Sequence, residues 1–228
     1  MHTFVRLDSV PNIEHAGRRV FNESTARHAK IHWEESRLAK PHLWNGQIVS
    51  LAKSCGDILL TEEVDYLYWY FQWVTGTDLG IRPIAVTGIL TLEGDVVLAR
   101  RGPNVTQDAT QWELAPSGGL TPAGAIRDVA PSLVGQLVTE AKEELNLDLA
   151  PIVSPTLVGL LTDSRTRIFD YAFLCDLSIS RSEFTSSFFS RASQEYTDLK
   201  LVALEAIQNV NWITETSKYI LRSVFPVS

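Results

Sequence analysis

The stretch that decides the fold is TEAKEELNL, residues 139–147. At about 100° per residue, Glu140, Glu143 and Glu144 fall within an arc of roughly 100° on one side of a helix. Apolar residues recur at helical spacing on the opposite side, as expected for a helix that packs on a core. The predicted core-facing stripe consists of Val134, Val138, Ala141 and Leu145.

The three carboxylates are placed unfavourably for an isolated helix. They repel one another by about 0.2–0.5 kcal/mol per pair. They also lie in the last turns, where the helix macrodipole favours cations over anions. A divalent cation bound by oxygen ligands would relieve both effects. The alternative is an acidic face exposed to solvent, because Glu is a good helix former.

The residues that lead to this helix carry a family resemblance. Residues 112–120 read WELAPSGGL, and with the helix they resemble a Nudix box, G-x5-E-x7-R-E-U-x-E-E-x-G-U, in which U is aliphatic. Gly124 fits the small residue that often precedes the first Glu. The other matching positions, in box order, are Gly119, Glu140, Ala141, Glu143, Glu144 and Leu147.

The chain departs from the box pattern at four points. Ala125 stands where the first Glu belongs, Thr139 stands where the Arg belongs, and about six extra residues lie between them. Asn146 replaces the Gly that ends the helix, a mild change because Asn also adopts the left-handed conformation. Asp128, in the insertion, is a candidate to replace the support that the missing Glu and Arg give in the family.

The resemblance implies a fold and a division of the chain. We expect an α/β/α sandwich with a mixed sheet over residues 83–228, with the box helix packed on one side. Residues 1–82 are then a smaller accessory region, which in Nudix relatives often builds a dimer or part of the substrate pocket.

The resemblance also implies a reaction. Nudix hydrolases cleave a diphosphate linked to another moiety X, commonly a nucleoside diphosphate derivative. The expected cofactor is Mg²⁺ or Mn²⁺, held by Glu140, Glu143, Glu144 and a backbone carbonyl near Gly118. The expected partner is a small-molecule diphosphate substrate, whose moiety X the sequence does not identify.

Other residues are assigned roles by the same resemblance. Glu143 and Glu195 are the candidates for the general base. Arg100, Arg101 and Gly119 are expected to bind the substrate. The alternatives are a solvated strand end for the two arginines and an ordinary exposed residue before a strand for Glu195.

Three rival functions remain. The missing Arg and Glu favour a catalytically inactive Nudix-fold module that binds nucleotides or regulates. An isoprenoid-diphosphate isomerase shares the fold but needs a pocket cysteine, and neither Cys55 nor Cys175 is expected there. A soluble α/β protein unrelated to Nudix hydrolases, with an acidic helix, is the third.

Composition limits the partners. The chain has 228 residues, 45% hydrophobic and 21% charged, which is ordinary for a globular protein. Its net charge of -7 argues against a nucleic-acid partner. Because there is no long apolar run and no signal-peptide pattern, we expect a cytoplasmic protein that does not enter a membrane. The two cysteines are expected to be reduced and buried.

Hydrophobic patterns predict the remaining elements. A hairpin should join residues 84–92 to 95–101, and residues 47–52 and 57–60 should form a second hairpin or a pair of edge strands. Thr61 should cap a helix so rich in aromatic residues that we expect it to form a homodimer contact, with base stacking a less favoured use. The other predicted elements are a helix over 23–40, a box helix starting within 128–132 with Pro131 in its first turn, strands over 152–162, 167–177 and 197–204, and a C-terminal helix capped by Thr214.

Overall fold

The computed structural model describes residues 1–122, 132–149, 154–190 and 195–226. Within these ranges the elements, in chain order, are β1 (His2–Val5), β2 (Asn12–Arg18), α1 (Glu23–Ala39), β3 (Gln47–Cys55), β4 (Ile58–Asp65), α2 (Tyr66–Thr75), β5 (Ile84–Leu92), β6 (Asp95–Arg101), β7 (Trp112–Leu114), β8 (Ser117–Gly119), α3 (Leu133–Leu145), β9 (Thr156–Asp163), β10 (Phe169–Leu177), α4 (Arg181–Phe189), β11 (Tyr196–Ala203) and α5 (Glu215–Val224). A 3₁₀ turn at Ile207–Asn209 precedes α5. None of the helices in the described residues is long and apolar enough to cross a membrane.

A mixed sheet of eight strands forms the centre of the described part of the chain. Its order is β1-β9-β10-β5-β6-β11, with β7 paired to β6 and β8 paired to β5. β5 and β10 are parallel, and the other described pairs of this sheet are antiparallel. The predicted β5–β6 hairpin is confirmed, and it turns at Glu93 and Gly94, which both have positive φ (52° and 85°), as tight hairpin turns require.

Helices cover both faces of this sheet. Leu137 of α3 packs on one face with Val86 and Phe173, and Ile220 of α5 packs on the other with Ile89 and Ala172. Strands of the sheet are therefore apolar on both sides, as expected for a sheet between two helical layers. The predicted fold class, an α/β/α sandwich with a mixed sheet, is confirmed.

The box helix, α3, ends where the sequence predicts and begins later. Ser132 is its N-cap and accepts a hydrogen bond from the backbone N–H of Gly135 (2.9 Å), so the helix starts at Leu133 and not before residue 132. Pro131 lies outside the described residues. At the other end Asn146 has a left-handed conformation (φ 52°), which confirms it in the role of the usual Gly.

The core-facing stripe of α3 differs from the predicted one. Ala141 and Leu145 are buried as predicted, but Val134 and Val138 are only partly buried at the edge of the core. The fully buried residues that complete the stripe are Leu133 and Leu137. This stripe is rotated by about one residue toward the glutamates, so α3 buries part of its acidic face.

The N-terminal region contains a second sheet, of order β2-β4-β3 within the described residues. The predicted hairpin over 47–60 is confirmed as β3 and β4, but β4 continues to Asp65, which pairs with Gln47. Thr61 is therefore a buried strand residue whose hydroxyl donates to the carbonyl of Glu14 (3.0 Å), and it does not cap a helix. The ladder with β3 satisfies the backbone of residues 61–65, and α2 starts only at Tyr66.

The two sheets are joined across the predicted boundary at residues 82 and 83. β1 lies in the large sheet, paired with β9, although it belongs to the N-terminal region. Val49 and Leu51 of β3 contribute to the same core as α3, and the N–H of Leu51 donates to the carbonyl of Arg82 (2.8 Å). The division into 1–82 and 83–228 stays a prediction, and the described residues share one core across it.

The aromatic residues of α2 pack mainly inside the chain. Trp69, Tyr70 and Phe71 are buried, and Trp33 of α1 packs edge-on against Tyr66 and Tyr70. Contacts within one chain thus account for much of the aromatic surface that suggested a subunit contact. The homodimer stays a prediction, and light scattering that gives a monomer mass at tens of micromolar would contradict it.

Elsewhere the predicted elements correspond to observed ones. The helix over 23–40 is α1, and the C-terminal helix is α5 with Thr214 as its N-cap. The three late strands are β9, β10 and β11, displaced by a few residues at their ends. Cys175 is buried as predicted, but Cys55 is exposed because it ends β3 beside the hairpin turn.

Candidate active site

Glu144 lies in the last turn of α3 and is only 2% exposed. Its Oε2 accepts a hydrogen bond from the backbone N–H of Ser117 in β8 (3.0 Å). Burial, followed by the negative charges of Glu195 and Glu140, raises the pKa of this carboxyl well above its usual range. An ionised Glu144 therefore needs a compensating cation.

Glu140 lies one turn earlier on the same side of α3 and is partly buried. Its Oε1 accepts a hydrogen bond from the side-chain amide of Gln136 (2.7 Å). Its carboxylate fills the space above Gly118, where an added Cβ would lie 2.1 Å from Oε1. Burial, together with the charges of Glu143 and Glu195, raises the pKa of Glu140 to about 7.

The other two predicted carboxylates differ in exposure. Glu143 is exposed at the edge of α3, close enough for its charge to act on Glu140. Glu195 immediately precedes β11, far along the chain from α3, yet its charge acts on both Glu140 and Glu144. The backbone carbonyl of Glu195 accepts a hydrogen bond from the N–H of Gly102 (2.6 Å), which ties it to the end of β6. The fold thus brings Glu195 beside the box helix.

The two predicted arginines occupy different environments. Arg101 is partly buried, forms an ion pair with Glu113 and lies 3.8 Å from Glu195 (Nη2 to Oε1). Arg100 is exposed, donates to the carbonyl of Thr110 (3.1 Å) and does not line the cavity described below.

Sequence reasoning missed the partly buried carboxylate that pairs with Arg101, Glu113. Glu113 also accepts a hydrogen bond from the hydroxyl of Tyr196 (2.8 Å). Burial raises the pKa of Glu113, and the Arg101 guanidinium opposes that rise. The sequence feature that could have indicated this role is the position of Glu113 next to Trp112, inside an apolar run that precedes the Gly-rich strand.

A cavity of about 1010 Å³ opens beside these residues. Glu195, Arg101 and the Gly-rich strand β8 form part of its wall. The N-terminal region contributes Tyr66 and Trp69 to the same cavity. A volume of this size suits a ligand of nucleotide dimensions, and the pocket is built from both parts of the chain.

The donor atoms of the site match a hard divalent cation. Carboxylate oxygens and a carbonyl beside Gly118 are the ligands that Mg²⁺ and Mn²⁺ prefer. Among the described residues, no three His, Cys, Asp or Glu side chains already enclose a metal position. Ionised carboxylates at about 4 Å repel by about 4 kcal/mol at an effective dielectric constant of 20, so the cation itself would draw them together.

Comparison with known proteins agrees with this architecture. No protein-family profile and no curated protein sequence matches the chain. Among solved structures, DR0079 from Deinococcus radiodurans superposes with a TM-score of 0.53 at 12% identity, over 79% of this chain and 99% of that chain. The MutT protein from Methanosarcina mazei Go1 gives 0.46 at 19% identity, over 63% and 92% of the two chains. A Nudix hydrolase from Nitrosomonas europaea gives 0.43 at 12% identity, over 63% and 88%.

The architecture defines the type of fold. The described residues form a sandwich of the Nudix type, and the resemblance seen in the box sequence is confirmed at the level of the fold. The likeness to DR0079, at 12% identity, concerns the fold alone.

Proposed function

We propose that this chain is a metal-dependent hydrolase that cleaves the diphosphate linkage of a nucleoside diphosphate joined to another moiety. The observation that carries the proposal is the contact of Glu144 and Glu140 with β8, whose residues line, together with Glu195, a cavity of nucleotide size. Burying several carboxylates together is costly unless a cation or a reaction uses them.

The residues proposed to hold Mg²⁺ or Mn²⁺ are Glu140, Glu143, Glu144 and the carbonyl of Gly118. A bound cation would offset the charge of the diphosphate and lower the pKa of an attacking water. Ser117 supports the site by donating its backbone N–H to Glu144, which fixes that carboxylate against β8. Gly118 supports it by leaving room for the carboxylate of Glu140.

Proton transfer requires a carboxylate that can reach the attacking water. Glu143 and Glu195 remain the two candidates. Glu195 is supported by its place on the cavity wall, whereas Glu143 is exposed on α3. Arg101 is proposed to bind the substrate beside Glu195, and its ion pair with Glu113 holds it in place. Arg100 is proposed to contact phosphate groups that extend out of the cavity. Gly119 is proposed to let the substrate approach the backbone, because a Cβ there would meet no atom within 4 Å.

An inactive nucleotide-binding module is the second candidate. The hydroxyl of Thr139, at the position of the box Arg, donates to the carbonyl of Gly135 within its own helix (3.0 Å) and cannot replace the longer side chain. Ala125 and Asp128, at the position of the first Glu and in the insertion, lie outside the described residues. The loss of the box Arg is the feature that favours this module.

One assay separates the two candidates. Release of nucleoside monophosphate is measured from ADP-ribose, nucleotide sugars and nucleoside triphosphates, with Mg²⁺ and with Mn²⁺. Turnover supports the hydrolase. Tight binding without turnover across the whole panel supports the module.

Divalent metal should stabilise the protein. Because the buried carboxylates repel one another, we expect a higher melting temperature with millimolar Mg²⁺ or Mn²⁺ than with chelator. Binding linkage gives about 2.7 kcal/mol when the metal is at a hundredfold its Kd. Combining Glu143→Gln with Glu144→Gln should remove the shift. An unchanged melting temperature of the unaltered protein in both metals would contradict the site.

Gly118→Ala should weaken metal binding without unfolding the protein. The new Cβ would lie 2.1 Å from Oε1 of Glu140, and this flexible carboxylate would move away. We expect a loss of about 10–100-fold in metal affinity, as found when the support of a ligand is removed. The readout is the metal concentration that gives half of the melting shift. Gly119→Ala is the matched control, because its Cβ meets nothing within 4 Å and the metal dependence should not change.

A further inference from the structure

Asp170 of β10 is a buried carboxylate that the proposed hydrolysis does not use. It lines the cavity and is only 6% exposed. Its Oδ2 accepts a hydrogen bond from the hydroxyl of Thr87 (2.8 Å). Its Oδ1 is buried and has no hydrogen-bond partner among the described residues. A buried polar atom without a partner is rare, and it marks a place where a donor from outside the protein can bind.

In the part of the chain that the structure describes, no basic side chain forms an ion pair with this carboxylate. Burial raises the pKa of Asp170 to about 6, and among its neighbours the hydroxyl of Thr87 opposes the rise while the charge of Glu113 adds to it. Arg101, on the same cavity wall, pairs with Glu113 instead. The ligand group that meets Asp170 should therefore carry N–H donors and no negative charge.

The position of Asp170 relative to the diphosphate site follows from a chain of hydrogen bonds. Glu144 accepts from the N–H of Ser117, whose hydroxyl lies 3.1 Å from the hydroxyl of Thr87, which donates to Asp170. Asp170 thus lies three hydrogen bonds away from the proposed metal site. The partly buried ring of Tyr66 lines the same cavity and offers flat apolar surface to a planar group, next to the buried ring of Trp69.

We propose that Asp170 recognises the base of the nucleotide through an edge of N–H donors, and that the preferred base is guanine. Guanine presents adjacent N1–H and N2–H donors, whereas the corresponding edge of adenine pairs a donor with an acceptor that a carboxylate repels. This inference rests on the proposed function for the ligand class, a nucleotide. It adds the base, which the box residues do not determine.

The test is a measurement by calorimetry of the affinity of the full chain for GMP, IMP and AMP. The same affinities are measured for the variants Asp170→Asn and Asp176→Asn. We expect GMP to bind about 10- to 100-fold more tightly than AMP, with IMP between them because it lacks the 2-amino group. Asp170→Asn keeps the shape, and its amide can accept from Thr87 while presenting N–H₂ to the ligand. It should lose the GMP preference, and its affinity for AMP should not fall.

Asp176→Asn is a matched control on the same strand. Asp176 also accepts from a β5 threonine, Thr91 (2.9 Å), but it is exposed and lies outside the cavity. Its GMP preference should equal that of the unaltered chain. Melting temperature shows whether Asp170→Asn folds, and the comparison of GMP with IMP in the unaltered chain stands without any variant.

The outcomes separate this inference from the proposed reaction. Equal affinity for GMP and AMP overturns the role of Asp170, even if the protein hydrolyses diphosphate derivatives of both guanosine and adenosine. A GMP preference that Asp170→Asn abolishes supports it, even if no diphosphate is cleaved. Absence of binding by all three nucleotides overturns it as well.

Discussion

Glu144→Gln should abolish nucleoside monophosphate release while the protein stays folded. The substitution keeps the size of the side chain, and the amide oxygen can still accept from the N–H of Ser117. It removes the charge that would bind the cation. Loss of one preorganised electrostatic contact in an active site costs about 10²–10³-fold in kcat, and a metal ligand should cost at least as much.

The same variant separates a functional role from a structural one. Burial raises the pKa of Glu144 most, and the negative charges of Glu195 and Glu140 raise it further. Removing the charge of Glu144 therefore relieves electrostatic repulsion. In chelator, the melting temperature of Glu144→Gln should therefore be equal to or higher than that of the unaltered protein. Stabilisation with loss of function is typical of active-site residues.

The control is Glu35→Gln on α1, an exposed glutamate that does not line the cavity. Both its turnover and its melting temperature should match those of the unaltered chain. Glu144→Gln that retained turnover within about twofold would contradict the assignment, since no metal ligand of this kind is dispensable.

Local patterns predicted most of the fold. The β5–β6 hairpin, the end of α3 at Asn146 and the capped helix α5 each depend on a turn residue or a cap next to a clear hydrophobic period. The prediction failed at Thr61, where a capping residue sits inside a strand. There the long-range ladder between β3 and β4 outweighs a local capping preference.

The candidate site was only partly predictable, for a physical reason. Glu140 and Glu144 share a helix face, so their spacing alone brings them together. Glu113 and Asp170 were missed because burial of a polar residue depends on elements distant in sequence. Asp170 alternates with Phe169 and Tyr171, a pattern typical of a strand with one polar face, yet β10 lies between two helical layers and both its faces are covered.

Trp69→Ala should lower the free energy of unfolding by about 3–5 kcal/mol, the usual cost of truncating a buried aromatic ring. Trp69 is only 3% exposed and stacks on Trp73 with ring centres 5.4 Å apart. Its indole N–H donates to the carbonyl of Thr166 (2.8 Å), in the turn between β9 and β10. The ring therefore connects the N-terminal region to the Nudix-type sheet, and its removal should lower the stability of both parts of the chain.

The measurement is urea unfolding followed by far-ultraviolet circular dichroism, which reports mainly on the backbone. Trp44→Ala is the control, because Trp44 is 80% exposed and its loss should change stability by no more than about 0.5 kcal/mol. Since Val49 and Leu51 share a core with α3, we expect one transition that moves as a whole. A second transition that stays in place while the first shifts would instead mean that residues 1–82 unfold separately from the rest.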